Sequence, residues 1–198
     1  ALDKKLRGET QFELMDLQMD LGLTFLIVTH DQEEAMTVSD RIAVMDHGKL
    51  VQVSTPPEIY ETPNSRYVAG FIGDVNFLEA TIVEAKDDLF ALESDKWKTR
   101  IVGDLRAEVG DTAWLSIRPE KMRIALDEPA DTSVNCVPGE VLDVAYLGDI
   151  SVYHVKLDSG EVIKSSVTNQ TRLVERPITW DDRVWLHWPK DAGVVLTR

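Results

Sequence analysis

The sequence predicts an α/β segment over residues 1–72, followed by an all-β domain over residues 73–198 built from two related small β-units. Three observations carry this reading. A continuously apolar, β-rich run at residues 24–29 lies between two helical patterns. From Phe77 onward the chain turns to short alternating runs separated by Gly, Asp and Pro. The pattern Asp-x-(Ala/Val)-Trp-Leu-x-apolar occurs twice, at residues 111–117 and 182–188, as a duplicated unit would show it.

Taken in order, residues 2–21 place Leu14, Leu17 and Leu21 on one helical face, with Phe12, Met15 and Met19 beside them. Gly22 follows as a C-cap. The run 24–29 has the pattern of a strand buried on both faces of a parallel sheet. Such a strand needs neighbours that the preceding residues do not supply, so this region is expected to be less protected than the β-domain or to pair with another chain. Asp31 caps a new helix, with Glu34 three residues on as in a capping box. Residues 41–45 and 49–53 flank Asp46-His47-Gly48 as a hairpin with Gly at its turn. Two short helices follow, at 57–61 and 65–72, and the change of character around Gly73 sets a domain boundary near 72–76. In the second region, strands at 79–85 and 139–145 precede the two Trp-Leu strands. Trp114, Trp185 and Trp188 lie in expected strands and are read as core, while Trp97 and Trp180, in polar contexts, are expected at the surface.

Composition bounds the function. The chain has 198 residues, 43% apolar and 28% charged, with 21 Lys and Arg against 35 Asp and Glu. A net charge of -14 repels nucleic acid phosphate and anionic lipid, so nucleic acid is not an expected partner. The single Cys136 rules out an intrachain disulfide and a Cys-based zinc site and fits a reducing compartment. No run is long and apolar enough to span a bilayer and no secretory pattern is read at the start of the chain, so a cytoplasmic location is the expectation. The sequence opens Ala-Leu-Asp without an initiator Met, as a fragment of a longer protein would.

His30 is the residue with the sharpest functional reading. It falls at the end of the 24–29 run, at the turn into a helix, where α/β proteins bind ligands and where an imidazole can donate a hydrogen bond to phosphate. Position alone equally allows an ordinary loop histidine beside a helix cap. His47, His154 and His187 are explained by exposure or packing, and no His spacing suggests a metal. The acids Asp31, Glu33 and Glu34 suit a helix start. No Gly-rich phosphate loop, Gly-x-Ser-x-Gly elbow or Cys/His pair occurs in the sequence.

The runs Ala1-Leu2-Asp3, Phe25-Leu26-Ile27-Val28-Thr29-His30-Asp31-Gln32-Glu33-Glu34-Ala35-Met36 and Ser39-Asp40-Arg41-Ile42-Ala43-Val44-Met45 resemble the C-terminal part of an ATP-binding-cassette importer ATPase. The continuation through Ala69-Gly70-Phe71-Ile72-Gly73 and Arg118-Pro119-Glu120-Lys121 is similar to the subgroup with an appended regulatory domain of tandem OB-like units. Ala145-Tyr146-Leu147-Gly148-Asp149 and Ser151-Val152-Tyr153-His154-Val155 look most like the polyamine importers. The resemblance implies that residues 1–72 are the remnant of a P-loop nucleotide-binding domain. It makes His30 the switch histidine at the ATP γ-phosphate and puts Asp3 in the loop that crosses the ATPase dimer interface. It implies ATP and Mg2+ as cofactors of the intact subunit, and as partners a second copy, a membrane permease and, indirectly, a solute-binding protein. The subunit would sit on the cytoplasmic face of the membrane.

The family's phosphate loop with its Lys, its Gln loop, its Gly-rich signature loop and its Mg2+-binding acidic pair have no counterpart in these residues, so the chain alone is expected to bind no nucleotide tightly and to be inactive. Two other classes stay open on the residues: a regulatory or small-ligand-binding module that works without ATP, and single-stranded nucleic acid binding on an OB face, against which the net charge weighs.

Overall fold

A computed structural model describes residues 4–94, 97–102, 107–170 and 178–197. Helix α1 (Lys4–Leu21) ends at Gly22, whose φ of 61° and N–H bond to the Met19 carbonyl close the helix as a left-handed cap. Helix α2 (Gln32–Val38) is followed by the hairpin β1 (Ile42–Asp46) and β2 (Lys49–Ser54). Its tip, His47-Gly48, has positive φ at both positions, which matches the strand twist. Helix α3 (Pro56–Glu61) opens on prolines and a Thr55/Glu58 capping box, and α4 (Arg66–Ile72) on a Ser65 cap. Ile42 and Val44 pack with Ile59, Val68 and Ile72 into a small core of this region.

The expected strand at 24–29 does not form. Residues 23–29 have no regular secondary structure, and Leu26 and Val28 are more than nine-tenths exposed. A parallel strand is held by neighbours on both edges, and among the described residues none pairs with it. The apolar face of α1 is likewise open, with Leu17 and Leu21 both exposed.

The rest is β. Strands β3 (Asn76–Lys86), β4 (Leu89–Glu93), β5 (Lys98–Val102), β6 (Thr112–Ile117) and β7 (Arg123–Ala125) are followed by β8 (Asn135–Tyr146), β9 (Ile150–Leu157), β10 (Val162–Thr168), β11 (Arg183–Trp188) and β12 (Gly193–Leu196). They form two five-stranded antiparallel sheets, ordered β12-β6-β3-β4-β5 and β7-β11-β8-β9-β10. Read in chain order, β3–β7 and β8–β12 are two copies of one pattern with the fifth strand exchanged: β7 completes the second sheet and β12 the first.

The duplication reaches individual bonds. The long first strand of each copy is bulged, after Ile82 and after Val141. Each bulge bonds the turn before the Trp-Leu strand: Ile82 N–H to Asp111 O at 3.0 Å, and Val141 N–H to Asp182 O at 3.0 Å. An asparagine opens each first strand and clasps the third strand of the other copy. Asn76 donates to Lys164 O and accepts its N–H, both at 2.8 Å, and Asn135 does the same with Arg100 at 2.8 Å. A single core runs from Leu78 to Val195 through both sheets.

The tryptophans depart from expectation. Trp188 is fully buried, but Trp114 and Trp185 are only partly so, because Leu115 and Leu186 take the inward positions and strict alternation turns their Trp neighbours outward. Trp114 donates to Glu79 and carries the Arg66 guanidinium on its ring face at 4.0 Å. Trp97, expected at the surface, is 6% exposed and packs in the core, while Trp180 is exposed as expected.

Two glycines mark where the sheets close most tightly. A Cβ on Gly139 would lie 2.6 Å from Val155 and 2.8 Å from the Lys156 carbonyl, and one on Gly193 would lie 2.6 Å from Leu115. Gly139→Ala should cost more than Gly193→Ala, since a backbone carbonyl yields less than a Leu methyl. Both are expected to lose about 1–3 kcal/mol in chemical denaturation, and an unchanged midpoint for Gly139→Ala would contradict the packing described.

Candidate functional site

His30 stands where the irregular segment 23–29 enters α2. Thr29 Oγ1 accepts the Asp31 N–H at 3.0 Å, and Asp31 Oδ1 accepts the Glu34 N–H at 3.2 Å. The turn is thus fixed on both sides of the histidine by short side chains bonding nearby backbone. The expected capping box is half made: Asp31 caps, but its own amide is taken by Thr29 rather than by Glu34. The His30 side chain is exposed, free to donate a hydrogen bond to an anion brought to the turn. Asp3 lies outside the described residues. Among the described residues no cluster of His, Cys, Asp and Glu could hold a metal ion. A groove of about 410 Å³ lined by Asp46, Val51, Asn64, Ser65, Arg66 and Tyr67 does not include His30.

A second concentration of polar chemistry lies where α3 and α4 meet the β-domain. Arg118, 5% exposed, follows β6 directly. Its Nη1 donates to the carbonyls of Ala69 at 2.9 Å, Gly73 at 3.1 Å and Asp74 at 3.1 Å, and its Nη2 to Tyr60 O at 3.3 Å. The guanidinium also stacks on the Tyr60 ring at 4.1 Å. Tyr60 Oη donates to Glu120 at 2.6 Å, and Lys121 pairs with Glu61. Sequence reading used Arg118-Pro119-Glu120-Lys121 only as a mark of resemblance. Its separation from Tyr60 along the chain gave no sign that the two meet. The asparagine clasps were also missed, although Asn76 and Asn135 open the two copies at matching places.

Burial, and then the hydrogen bond to the Glu120 carboxylate, push the Tyr60 phenol up from 10.0 to about 12. The folded value lies above the ordinary one, so the neutral phenol's contribution to stability is complete below the ordinary value and is lost as pH rises through the raised one. Ultraviolet titration of the folded chain should show one of its four tyrosines ionising late. Its co-titration with the others would contradict the Tyr60–Glu120 bond.

Comparison with known proteins fits this architecture. Residues 115–196 match the TOBE domain family, a stretch that includes β-strands of both sheets. Along essentially its whole length the chain is similar to ATP-binding proteins of polyamine import. It is 45% identical to the putrescine transport ATP-binding protein PotG of Escherichia coli strain K12 over 100% of this chain and 52% of that protein. It is 39% identical to the spermidine/putrescine import ATP-binding protein PotA of Thermotoga maritima over 99% of this chain and 54% of that protein, and 42% identical to a PotA of Pseudomonas aeruginosa strain UCBPP-PA14 over 98% and 53%. The chain therefore spans about half the length of the curated relatives it matches. Among solved structures, the cytoplasmic molybdate-binding protein ModG shares the fold, with a TM-score of 0.54 at 13% identity over 61% of this chain and 94% of that one. No helix among the described residues is long and apolar enough to cross a membrane.

Proposed function

We propose that this chain is the C-terminal half of the ATP-binding subunit of a polyamine importer, an ATPase that drives uptake of a putrescine-like solute through a membrane permease. The observation that carries the reading is identity of 38–45% to polyamine-import ATP-binding proteins along essentially the whole chain. In this reading the chain divides at 72–76, into the end of a nucleotide-binding domain and a regulatory domain. His30, held by Thr29 and Asp31, donates a hydrogen bond to the γ-phosphate of Mg-ATP and helps orient the attacking water. Asp3 belongs to the loop that links the two sites of a homodimer. Phosphoryl transfer is accelerated mainly by positioning and charge stabilisation, which is what one well-aimed donor can supply. The exposed run 23–29 and the open face of α1 are then the surfaces an upstream half would cover. The subunit works on the cytoplasmic face of the membrane, with a solute-binding protein as an indirect partner.

The test compares this chain with a subunit extended upstream to the length of its relatives. Calorimetry with Mg-ATP and a phosphate-release assay should show binding and turnover only in the longer protein. Micromolar binding or turnover by the 198-residue chain would overturn the division of labour. In this reading residues 73–198 also mediate self-association: light scattering on the β-domain alone should give a dimer, and a monomer at high concentration would remove that role.

A further inference from the structure

We propose that Arg118, with Glu120 and Lys121, forms a clasp that locks α3 and α4 onto the β-domain as one mechanical piece, so that a displacement of the helical region is handed directly to the sheets. The proposal does not depend on the ATP reading. It rests on where the bonds go. The last carbonyls of a helix have no partner within it, and Arg118 gathers the Ala69 carbonyl of α4 together with the two just beyond it, those of Gly73 and Asp74. The same guanidinium bonds the Tyr60 carbonyl and covers the Tyr60 ring, so a single side chain from the end of β6 reaches both helices. A cation at a helix C-terminus is favoured by the helix dipole, and only the planar five-donor fork of Arg can serve so many acceptors at once. Glu120 holds the Tyr60 hydroxyl and Lys121 pairs with Glu61, so one short turn makes every one of these bonds across the junction.

The side-chain bonds of Arg118 all run to α3, α4 and the two carbonyls just beyond α4, and none runs to a strand of either sheet. Breaking the clasp should therefore free the helices and leave the sheets intact.

Hydrogen exchange on the full 198-residue chain and on Arg118→Lys, which keeps the charge and loses the fork, decides this. Amides of α3 and α4 should exchange at least about tenfold faster, the scale of losing one charge-assisted hydrogen bond, while amides of β6, β8 and β11 stay as protected as before. Tyr60→Phe, which keeps the ring and loses only the bond to Glu120, should give a smaller effect confined to α3. Unchanged α3 and α4 exchange in Arg118→Lys would overturn the proposal. So would loss of protection in helices and sheets together, or failure of the variant to fold, since either would make Arg118 a prop of the β-domain rather than a coupling between two parts.

Discussion

Ending the chain at residue 189, which removes β12 and the turn that leads into it, is expected to abolish cooperative unfolding of the whole β-domain rather than trim one edge. β12 lies beside β6, pairing Gly193 with Ile117 through to Leu196 with Trp114, and it comes from the opposite copy of the duplicated pattern. Its loss removes the buried Val195 and Leu196, at 6% and 4% exposure, each worth about 1.5–3 kcal/mol. It also uncovers Leu115 and Ile117 on the adjacent strand, both essentially inaccessible in the intact chain. Against a total stability of about 5–15 kcal/mol for a domain of this kind, that is enough to empty the native state. Because β7 performs the reciprocal service for the second sheet, neither copy is complete alone. Expression of residues 73–130 should likewise give a collapsed but non-cooperative chain. Denaturant titration followed by tryptophan fluorescence would show a shallow, drifting transition for both truncations. An unchanged slope and midpoint for the chain lacking β12 would contradict the exchanged topology.

Much of this was legible in the sequence, for reasons that differ from part to part. The hairpin at His47-Gly48 and the prolines opening α3 are local signals, and they appear where their chemistry puts them. The Trp-Leu repeat marks β6 and β11, which hold corresponding places in the two sheets. What it could not announce was the exchange of β7 and β12, because strand order depends on contacts between residues far apart in the chain. Side-chain direction failed where a short strand offered two large residues in succession: Trp114 and Leu115 compete for one inward position, and the smaller side chain holds it. The run 24–29 has the composition of a buried strand, and composition alone does not supply neighbours. His30 was put forward from its place before a capped helix together with the residues around it. Arg118 was not, since its four carbonyl partners converge only in three dimensions.

In a subunit extended to the length of its relatives, His30→Ala is expected to cut ATP turnover by about 100-fold or more, the scale of losing a donor aimed at developing charge, and to leave Mg-ATP binding largely in place. The split between turnover and binding is what distinguishes a residue acting at the γ-phosphate from one that merely shapes the turn. The turn itself is held by Thr29 and Asp31, whose bonds do not involve the imidazole. Thermal stability and α2 exchange in the variant should therefore match the parent. Turnover within a few-fold of normal would return His30 to the role of an ordinary loop histidine.

ATP-driven uptake of putrescine tests the central claim most directly. Membrane vesicles carrying the extended subunit with its permease and solute-binding protein should accumulate putrescine when ATP is supplied inside, and the His30→Ala subunit should not support accumulation although it still assembles and binds nucleotide. Equal accumulation with and without a functional His30, or none with the unaltered subunit and its partners present, would contradict the account.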